Sequence, residues 1–255
     1  MTSGKDHIIR LSEVWTTYEG ADLPVIRDVS LQIKPGEFVV IGGPNGAGKT
    51  TLLETIAGLL PVVNGTVHVC GLDVVKDGCC ARKKIGYVIQ NFDFHPYTPF
   101  TVEEVVLMGR FGKIGWLKRH TSRDLEKVAS AISQLGLTSM QKNQIGKLSG
   151  GQQQKVLIAQ NLAKEPEILL LDEPFSNLDM ITREEVCNLL CKVADAGIPV
   201  LIVSHAFDAL PDRDIRVVVM QHGEITQNQL SHPSKVEELV RSASVAAWCW
   251  SLSFR

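Results

Sequence analysis

The chain has 255 residues, of which 44% are apolar and 21% charged, and its net charge is −2; this composition is typical of a soluble globular protein with one or two domains. Since no basic excess is present, we expect no nucleic-acid partner. Neither a positively flanked apolar N-terminus nor a run of about 18 apolar residues occurs, so the sequence indicates neither secretion nor membrane spanning, and the cytoplasm is the expected compartment.

Three strands are predicted before the first glycine-rich loop. Alternating residues predict strands over 8–14 and 25–33, and the apolar run 38–41 follows a turn at 34–37. Tyr18 lies between the first two strands. An aromatic face there could stack on a nucleobase, although a single tyrosine is more often a packing residue.

The loop after the third strand has the pattern of a phosphate-binding loop. Its glycines let the backbone curl so that several N–H groups converge on one anion, and a helix-like segment follows at 51–57. Lys49 would neutralise the outer phosphates, and the hydroxyl of Thr50 would meet a phosphate-bound Mg²⁺. The spacing therefore predicts a nucleotide-binding loop, composed of Gly43, Pro44, Asn45, Gly46, Ala47, Gly48, Lys49 and Thr50.

The middle of the chain is predicted to be mostly helical. Short strands are predicted over 65–69 and 85–89, after which prolines break the chain. Capping boxes at 101–104 and 121–124 then open helices. We therefore expect residues 91–165 to be a helical insertion in an α/β sequence.

A serine and two glycines open the next predicted helix. They belong to the segment 148–152, and the helical pattern continues to Ala163. Backbone N–H groups at such a helix start can bind an anion. The alternative interpretation is an ordinary N-cap followed by a glycine turn.

Two adjacent carboxylates end the apolar run 168–171, which is typical of a strand buried on both faces of a parallel sheet. They are Asp172 and Glu173, and acids at the tip of a central strand lie at the ligand crevice of an α/β sheet. One can hold Mg²⁺ while the other takes a proton from water. A second buried strand, 199–204, ends in His205, which we expect at the same edge, near the γ-phosphate.

The C-terminal part contains further predicted elements to which no site residue is assigned from the residue pattern alone. A helix capped by 182–185 is predicted to run to about Ala196, followed by a hairpin and a last helix over 233–240. We expect the cysteines to be free thiols; Cys187 and Cys191 could bind metal or sense redox state, but core packing is favoured.

These motifs together resemble the ATP-binding cassette (ABC) ATPases, over nearly the whole chain. The resemblance rests on the phosphate loop, Gln90 and His205, and on the segments 148–152, 172–174 and 176–179, which occur in the family's order. It implies a P-loop NTPase α/β core with an antiparallel β subdomain and an inserted helical subdomain.

The resemblance also implies one domain over 1–241, followed by a tail, 242–255. The catalytic core would comprise 1–90 and 166–241, with the helical subdomain at 91–165. The tryptophan-containing tail could dock on a partner or a bilayer interface; we favour a poorly ordered or self-packed end.

The residue roles implied by the resemblance concern ATP and Mg²⁺. Tyr18 would stack on adenine, and residues 43–51, including Thr51, would hold the phosphates. The residues serving Mg²⁺ would be Thr50, Gln90 and Asp172. The catalytic residues would be Glu173, which polarises the attacking water, His205 at the γ-phosphate, and Gln90.

A second copy of the chain is implied as well. The residues that would close over the ATP of a head-to-tail partner are Ser149, Gly150, Gly151 and Gln152, and Asp179 would signal across that dimer. One chain therefore would hold half of each ATP site.

The function implied by the resemblance is that of an importer's ATPase subunit at the cytoplasmic face of the cell membrane. Integral-membrane permease subunits would span the bilayer, and an extracytoplasmic solute-binding protein would deliver the solute. Segments 105–119, 144–148 and 151–154 resemble the zinc- and manganese-importing branch, so we expect a divalent metal ion; iron chelates and cobalamin are alternatives. A soluble ABC ATPase acting on DNA or ribosomes and a non-hydrolysing scaffold are the other interpretations.

A contact with the permease is predicted in the insertion. Phe111 and Trp116 would be exposed aromatic anchors with a basic rim. The rim residues are Arg110, Lys113, Lys118 and Arg119. Alternatively, Trp116 caps the core of the helical subdomain.

Overall fold

The computed structural model describes residues 7–21, 23–90, 94–115 and 118–242, so Trp116 and residues 243–255 of the tail lie outside the described residues. In chain order the elements are β1 (Ile9–Thr16), β2 (Ile26–Ile33), β3 (Phe38–Gly42), α1 (Lys49–Ile56), β4 (Val62–Val69), β5 (Leu72–Asp73), α2 (Gly78–Lys84), β6 (Ile85–Val88), α3 (Val102–Met108), α4 (Phe111–Ile114), α5 (Ser122–Gln134), α6 (Gly150–Ala163), β7 (Ile168–Asp172), α7 (Met180–Asp195), β8 (Val200–Val203), β9 (Ile215–Gln221) and β10 (Glu224–Ser231). Within the described ranges, no helix combines the length and apolar character needed to cross a bilayer.

A six-stranded sheet carries the centre of the fold, with the strand order β10-β9-β3-β8-β7-β6. The pairs among β9, β3, β8, β7 and β6 are parallel, and β10 is an antiparallel edge strand. Every residue of β3, β7 and β8 is buried, as expected for central strands covered on both faces. Because these strands are parallel, their carboxyl ends meet at one edge of the sheet.

The two faces of this sheet have different partners. Val39 and Ile41 of β3 belong to an apolar cluster with α1 and the antiparallel sheet β2-β1-β4-β5. Phe38 and Val40, which point the other way, pack in a second cluster with α3, α5, α6 and α7. Fully burying one such side chain stabilises the fold by about 1.5–3 kcal/mol. The predicted α/β core with an antiparallel β subdomain and a helical insertion is thus confirmed, while the numerical domain boundaries stay predictions.

Helix α7 begins earlier than the sequence predicted. Asp179 is its N-cap: Oδ1 accepts a hydrogen bond from the backbone N–H of Thr182, and Oδ2 accepts one from the Thr182 hydroxyl, each at 2.9 Å. A carboxylate satisfies the unpaired N–H groups there and interacts favourably with the helix dipole. The predicted start at Thr182 was therefore wrong, whereas the predicted capping boxes of α3 and α5 are confirmed.

The predicted basic rim of the insertion is wrong at Arg110. Its side chain is buried: Nε donates to Asp124 Oδ1 at 3.0 Å, and Nη1 donates to the carbonyl of Ala163 and to Glu165 Oε2. The backbone N–H and hydroxyl of Thr121, together with the guanidinium, lower the pKa of Asp124 to about 2. Arg110 therefore joins three parts of the insertion instead of facing a partner.

The neighbouring residues of the predicted surface are exposed. Residues 111–114 form helix α4, and the exposed Lys113 donates from Nζ to the carbonyl of Glu165 at 2.8 Å. Phe111 is 54% exposed, and Lys118 and Arg119 are exposed. Among the described residues of the predicted surface, Phe111, Lys113, Lys118 and Arg119 are thus exposed, and Arg110 is buried.

We expect Arg110→Ala to lower the melting temperature by roughly 5 °C or more, because it leaves the buried carboxylate of Asp124 without its cation. Arg110→Lys should recover only part of the loss, since an ammonium cannot form the forked set of bonds. Thermal unfolding followed by circular dichroism measures the change. Arg119→Ala, at an exposed site, is the control, and a melting temperature of Arg110→Ala equal to that of the control would contradict the proposed structural role.

Candidate active site

A cavity of about 570 Å³ lies at the sheet edge where β3, β7 and β8 end. It brings together residues that are far apart in the sequence. Its lining consists of Tyr18, Val25, Asn45, Gly46, Gly48, Lys49, Thr50, Thr51, Gln90, Asp172, Glu173, Val203 and His205. Eleven of these thirteen were predicted as site residues; Val25 and Val203 were not, because an aliphatic residue in a strand or next to one carries no signal of its own.

The phosphate loop curves between β3 and α1 through backbone conformations that favour glycine. Gly43 has φ 141°, and a Cβ built there would lie 2.2 Å from the carbonyl oxygen of Met220. Gly48, with φ 97°, is the N-cap of α1. The unpaired N–H groups of the first turn of α1 are thereby available at the cavity.

Lys49 is hydrogen-bonded to this loop and interacts electrostatically with the two carboxylates. Its side chain is buried, and Nζ donates to the carbonyl oxygens of Gly43 and Pro44, each at 2.9 Å. Burial lowers the pKa of Lys49, and the charges of Glu173 and Asp172 act in the opposite direction. Two of the three ammonium donors hold the loop in place, which leaves the third for an anion.

Asp172 ends β7 with a side chain suited to a cation. The residue is 1% exposed, and both carboxylate oxygens are buried without a hydrogen-bond donor in bonding geometry. Burial raises the pKa of Asp172, while the nearby Thr50 hydroxyl lowers it. A buried carboxylate is costly unless it is paired, so this donor set, with Gln90 at the same cavity, fits Mg²⁺, which prefers oxygen ligands.

Glu173 is the next residue along the chain and has an unusual backbone. Its φ is 50°, a conformation that costs a non-glycine residue energy, and its N–H donates to the carbonyl of Val203 at 2.9 Å. His205 Nε2 lies 3.4 Å from Glu173 Oε1. Burial raises the pKa of Glu173, and the charge of His205 lowers it. The strained turn thus aims a second carboxylate at the cavity beside a histidine.

Tyr18 lies at the cavity, on the loop between β1 and β2. The residue is 40% exposed, and its hydroxyl lies 3.1 Å from Thr51 Oγ1 and 2.9 Å from Glu54 Oε2. Glu54, which bonds to Tyr18 but does not line the cavity, was not among the predicted residues. The available signal was its position three residues after Thr51, which places both side chains on one face of α1.

The turn Ser149–Gln152 does not line the cavity. Ser149 Oγ accepts from the N–H of Gln152 at 3.3 Å, and Gln152 Oε1 accepts from the N–H of Ser149 at 3.0 Å, which is a capping box at the start of α6. Gly151 approaches the segment before α7 so closely that a Cβ would lie 3.0 Å from the carbonyl oxygen of Asn177. The exposed start of this turn and the exposed Asp179 cap are therefore not part of the chain's own cavity lining.

The ABC transporter family model matches residues 26–176, a segment that includes the phosphate loop, the Ser149–Gln152 turn and the two carboxylates. The chain belongs to the ABC transporter family. As an ABC ATPase, it binds nucleotide in a P-loop fold and hydrolyses ATP.

Similar proteins of known assignment agree with this membership. The ABC chain is 41% identical over 189 residues to the manganese transport system ATP-binding protein MntB of Bacillus subtilis, covering 74% of each protein. It is 37% identical over 197 residues to the zinc transport system ATP-binding protein TroB of Treponema pallidum, covering 77% of this chain and 73% of TroB. A dimeric ATP-binding cassette in a post-hydrolysis state, bound to ADP and Pi, superposes with a TM-score of 0.74 at 30% identity, covering 87% of this chain and 98% of that one.

We expect Gly43→Ala to impair the phosphate loop more than Gly46→Ala does. The added methyl group at Gly43 meets a backbone oxygen, whereas nothing lies within 4 Å of a Cβ at Gly46, although both glycines have positive φ. Equilibrium binding of a fluorescent ATP analogue should weaken roughly tenfold or more for Gly43→Ala, with a larger fall in melting temperature than for Gly46→Ala. Equal effects of the two substitutions would contradict the steric argument.

Proposed function

We propose that this ABC ATPase is the ATP-hydrolysing subunit of an importer for a divalent metal ion, manganese or zinc. The observation that supports the choice of solute is the identity of 41% and 37% to two proteins named for manganese and zinc transport. The cavity itself carries no information on the solute, since its lining suits a nucleotide. The proposed partners are permease subunits in the membrane and an extracytoplasmic solute-binding protein, with the ATPase at the cytoplasmic face.

In the proposed ATP complex, the phosphates lie against residues 43–51. Lys49 neutralises the outer phosphates, and the N–H groups of the loop and of the first turn of α1 donate to their oxygens. The residues that would hold Mg²⁺ are Thr50, Gln90 and Asp172. The chemistry supplied by the ion is neutralisation of the phosphate charge that builds up as the terminal bond breaks.

In the proposed reaction, Glu173 accepts a proton from the attacking water. Its buried carboxylate beside His205 has the raised pKa that favours proton transfer. His205, 48% exposed at its side chain, donates a hydrogen bond to the γ-phosphate and so orients it. The water oxygen bonds to the γ-phosphorus while the bond to the β-phosphate oxygen breaks, which releases ADP and phosphate.

We further propose that two copies pair head to tail. The cavity is open to solvent in one chain, and the Ser149–Gln152 turn lies outside it. The exposed start of α6 would supply N–H donors to the ATP of the partner, closing that site against water. Asp179, which caps α7 beside the same turn, would link the two sites.

Mixing two inactive variants tests this composite site. Glu173→Gln removes the proton acceptor, and Ser149→Arg places a bulky cation in the turn; each should lower ATPase activity about a hundredfold or more. In a head-to-tail heterodimer one of the two sites has neither substitution, so an equimolar mixture should recover about a quarter of the wild-type rate.

The control for that experiment is Ser133→Arg, which adds the same side chain at an exposed position of α5. It should remain active, and Glu173→Gln alone should form an ATP-dependent dimer in size-exclusion chromatography. An inactive mixture of two folded variants, each able to bind ATP, would contradict the composite site.

Metal accumulation in cells tests the proposed solute. Deleting the coding gene should lower cellular manganese or zinc measured by mass spectrometry, wild-type protein should restore it, and Glu173→Gln should not. Iron is measured in parallel. A deletion that changes iron alone would favour the iron-chelate alternative, and unchanged manganese and zinc would contradict the metal assignment.

A further inference from the structure

The hydroxyl of Tyr18 is held by two side chains of the helix that also begins at the phosphate loop. Tyr18 OH lies 2.9 Å from Glu54 Oε2 and 3.1 Å from Thr51 Oγ1. A carboxylate only accepts hydrogen bonds, so the single phenol proton points to Glu54. Thr51 must then be the donor to the phenol oxygen. The three groups form a directed chain of hydrogen bonds from Thr51 through Tyr18 to Glu54.

These two hydrogen bonds restrict the side-chain rotation of Tyr18, which would otherwise be free to change rotamer. Tyr18 lies on the loop between β1 and β2 and is 40% exposed, whereas Thr51 is buried and Glu54 is half-buried. Burial and the charge of Glu54 raise the pKa of Tyr18, so the phenol keeps the proton that it donates. Fixing an exposed aromatic side chain before ligand binding lowers the conformational-entropy cost of the binding step.

A further hydrogen bond to α1 fixes the start of the same loop. The hydroxyl oxygens of Thr55 and Thr16 lie 3.2 Å apart, and both residues are fully buried. Since the Thr55 proton is donated to the Thr51 carbonyl at 2.6 Å, the Thr16 hydroxyl is the donor between the two threonines. Thr16 ends β1, two residues before Tyr18. The backbone at the base of the loop and the ring at its tip are thus both attached to α1.

We propose that Glu54 is a positioning residue for the nucleobase, acting through Tyr18. This inference rests on the proposed function, in which the Tyr18 ring stacks on adenine. Thr51 and Glu54 are three residues apart on α1, whose first residue, Lys49, lines the cavity and would face the phosphates of the proposed ATP complex. One rigid helix therefore sets the distance between the surface that receives the base and the loop that receives the phosphates. Glu54 does not line the cavity, so its effect on the nucleotide is exerted through the tyrosine.

Nucleotide binding and steady-state kinetics of the full chain test the proposal. Glu54→Ala should raise the dissociation constant and KM for ATP about three- to tenfold, with kcat changed less than about twofold, because only the pre-ordering of Tyr18 is lost. Tyr18→Phe should have the same effect, and the double variant should be no weaker than either single variant. Glu54→Gln should restore binding, since the amide oxygen still accepts from the phenol.

The matched control is Glu19→Ala, which removes an exposed carboxylate from the same loop; it should bind ATP like the wild type. Wild-type affinity of Glu54→Ala, additive effects in the double variant, or failure of Glu54→Gln to restore binding would overturn the proposal. A selective change in the preference for ATP over GTP would also overturn it, because Glu54 would then read the base directly.

Tyr18→Ala separates this inference from the proposed function. Weaker ATP binding of Tyr18→Ala together with unaltered Glu54→Ala would reject only the role of Glu54. Unaltered ATP binding of Tyr18→Ala would instead reject the stacking role of Tyr18 on which the inference rests.

Discussion

The parallel pairing of β3, β8 and β7 is the constraint on which the site depends. It brings the carboxyl ends of three buried strands to one edge, and each end continues into a functional segment: the phosphate loop after β3, Asp172 and Glu173 at the end of β7, and His205 after β8. Apart from Asp172 at the end of β7, these strands carry no polar side chains, so the charged groups of the site lie at that edge. The backbone bond from Glu173 N–H to the Val203 carbonyl extends the pairing of β7 and β8 by one step, and this step fixes the turn that presents the glutamate.

The site contains charges that water would otherwise solvate. Lys49, Asp172 and Glu173 are all largely removed from solvent. Burial lowers the pKa of Lys49 and raises the pKa values of Asp172 and Glu173, so in each case it favours the neutral form. The opposite charges offset that shift only in part, and the Asp172 oxygens have no donor in bonding geometry. An arrangement of this kind favours binding of a ligand that brings both anionic phosphates and a cation, because each then supplies a partner that the protein alone lacks. The incompletely paired buried charges of the chain by itself thus support the proposed complex with ATP and Mg²⁺.

Helix α1 and the Ser149–Gln152 turn would have different roles in the proposed recognition of the nucleotide. The first turn of α1 faces the cavity, and its next turn holds Tyr18 through Glu54. The turn before α6 packs on the segment that precedes α7 through the close approach of Gly151 to Asn177. This segment begins just after Glu173, so the exposed turn packs on residues that closely follow β7 in the same chain. In the proposed dimer, a structural change at the nucleotide site of one chain would therefore be transmitted to the turn that contacts its partner.

Much of the fold and site follows from local patterns in the sequence. The phosphate loop, the apolar runs of β3, β7 and β8 and the capping boxes of α3 and α5 depend on neighbours within a few residues, and the sequence determined them directly. Short β5 and α2 lack a strong periodic pattern and were not predicted, and the start of α7 was misplaced because two adjacent capping signals compete. Only the tertiary structure decided that Arg110 is buried against Asp124 and Glu165, and that Tyr18 bonds to Glu54. These contacts join residues 14, 55 and 36 positions apart, and a charged or phenolic side chain acquires its partner only when the packing of helices and strands brings the two together.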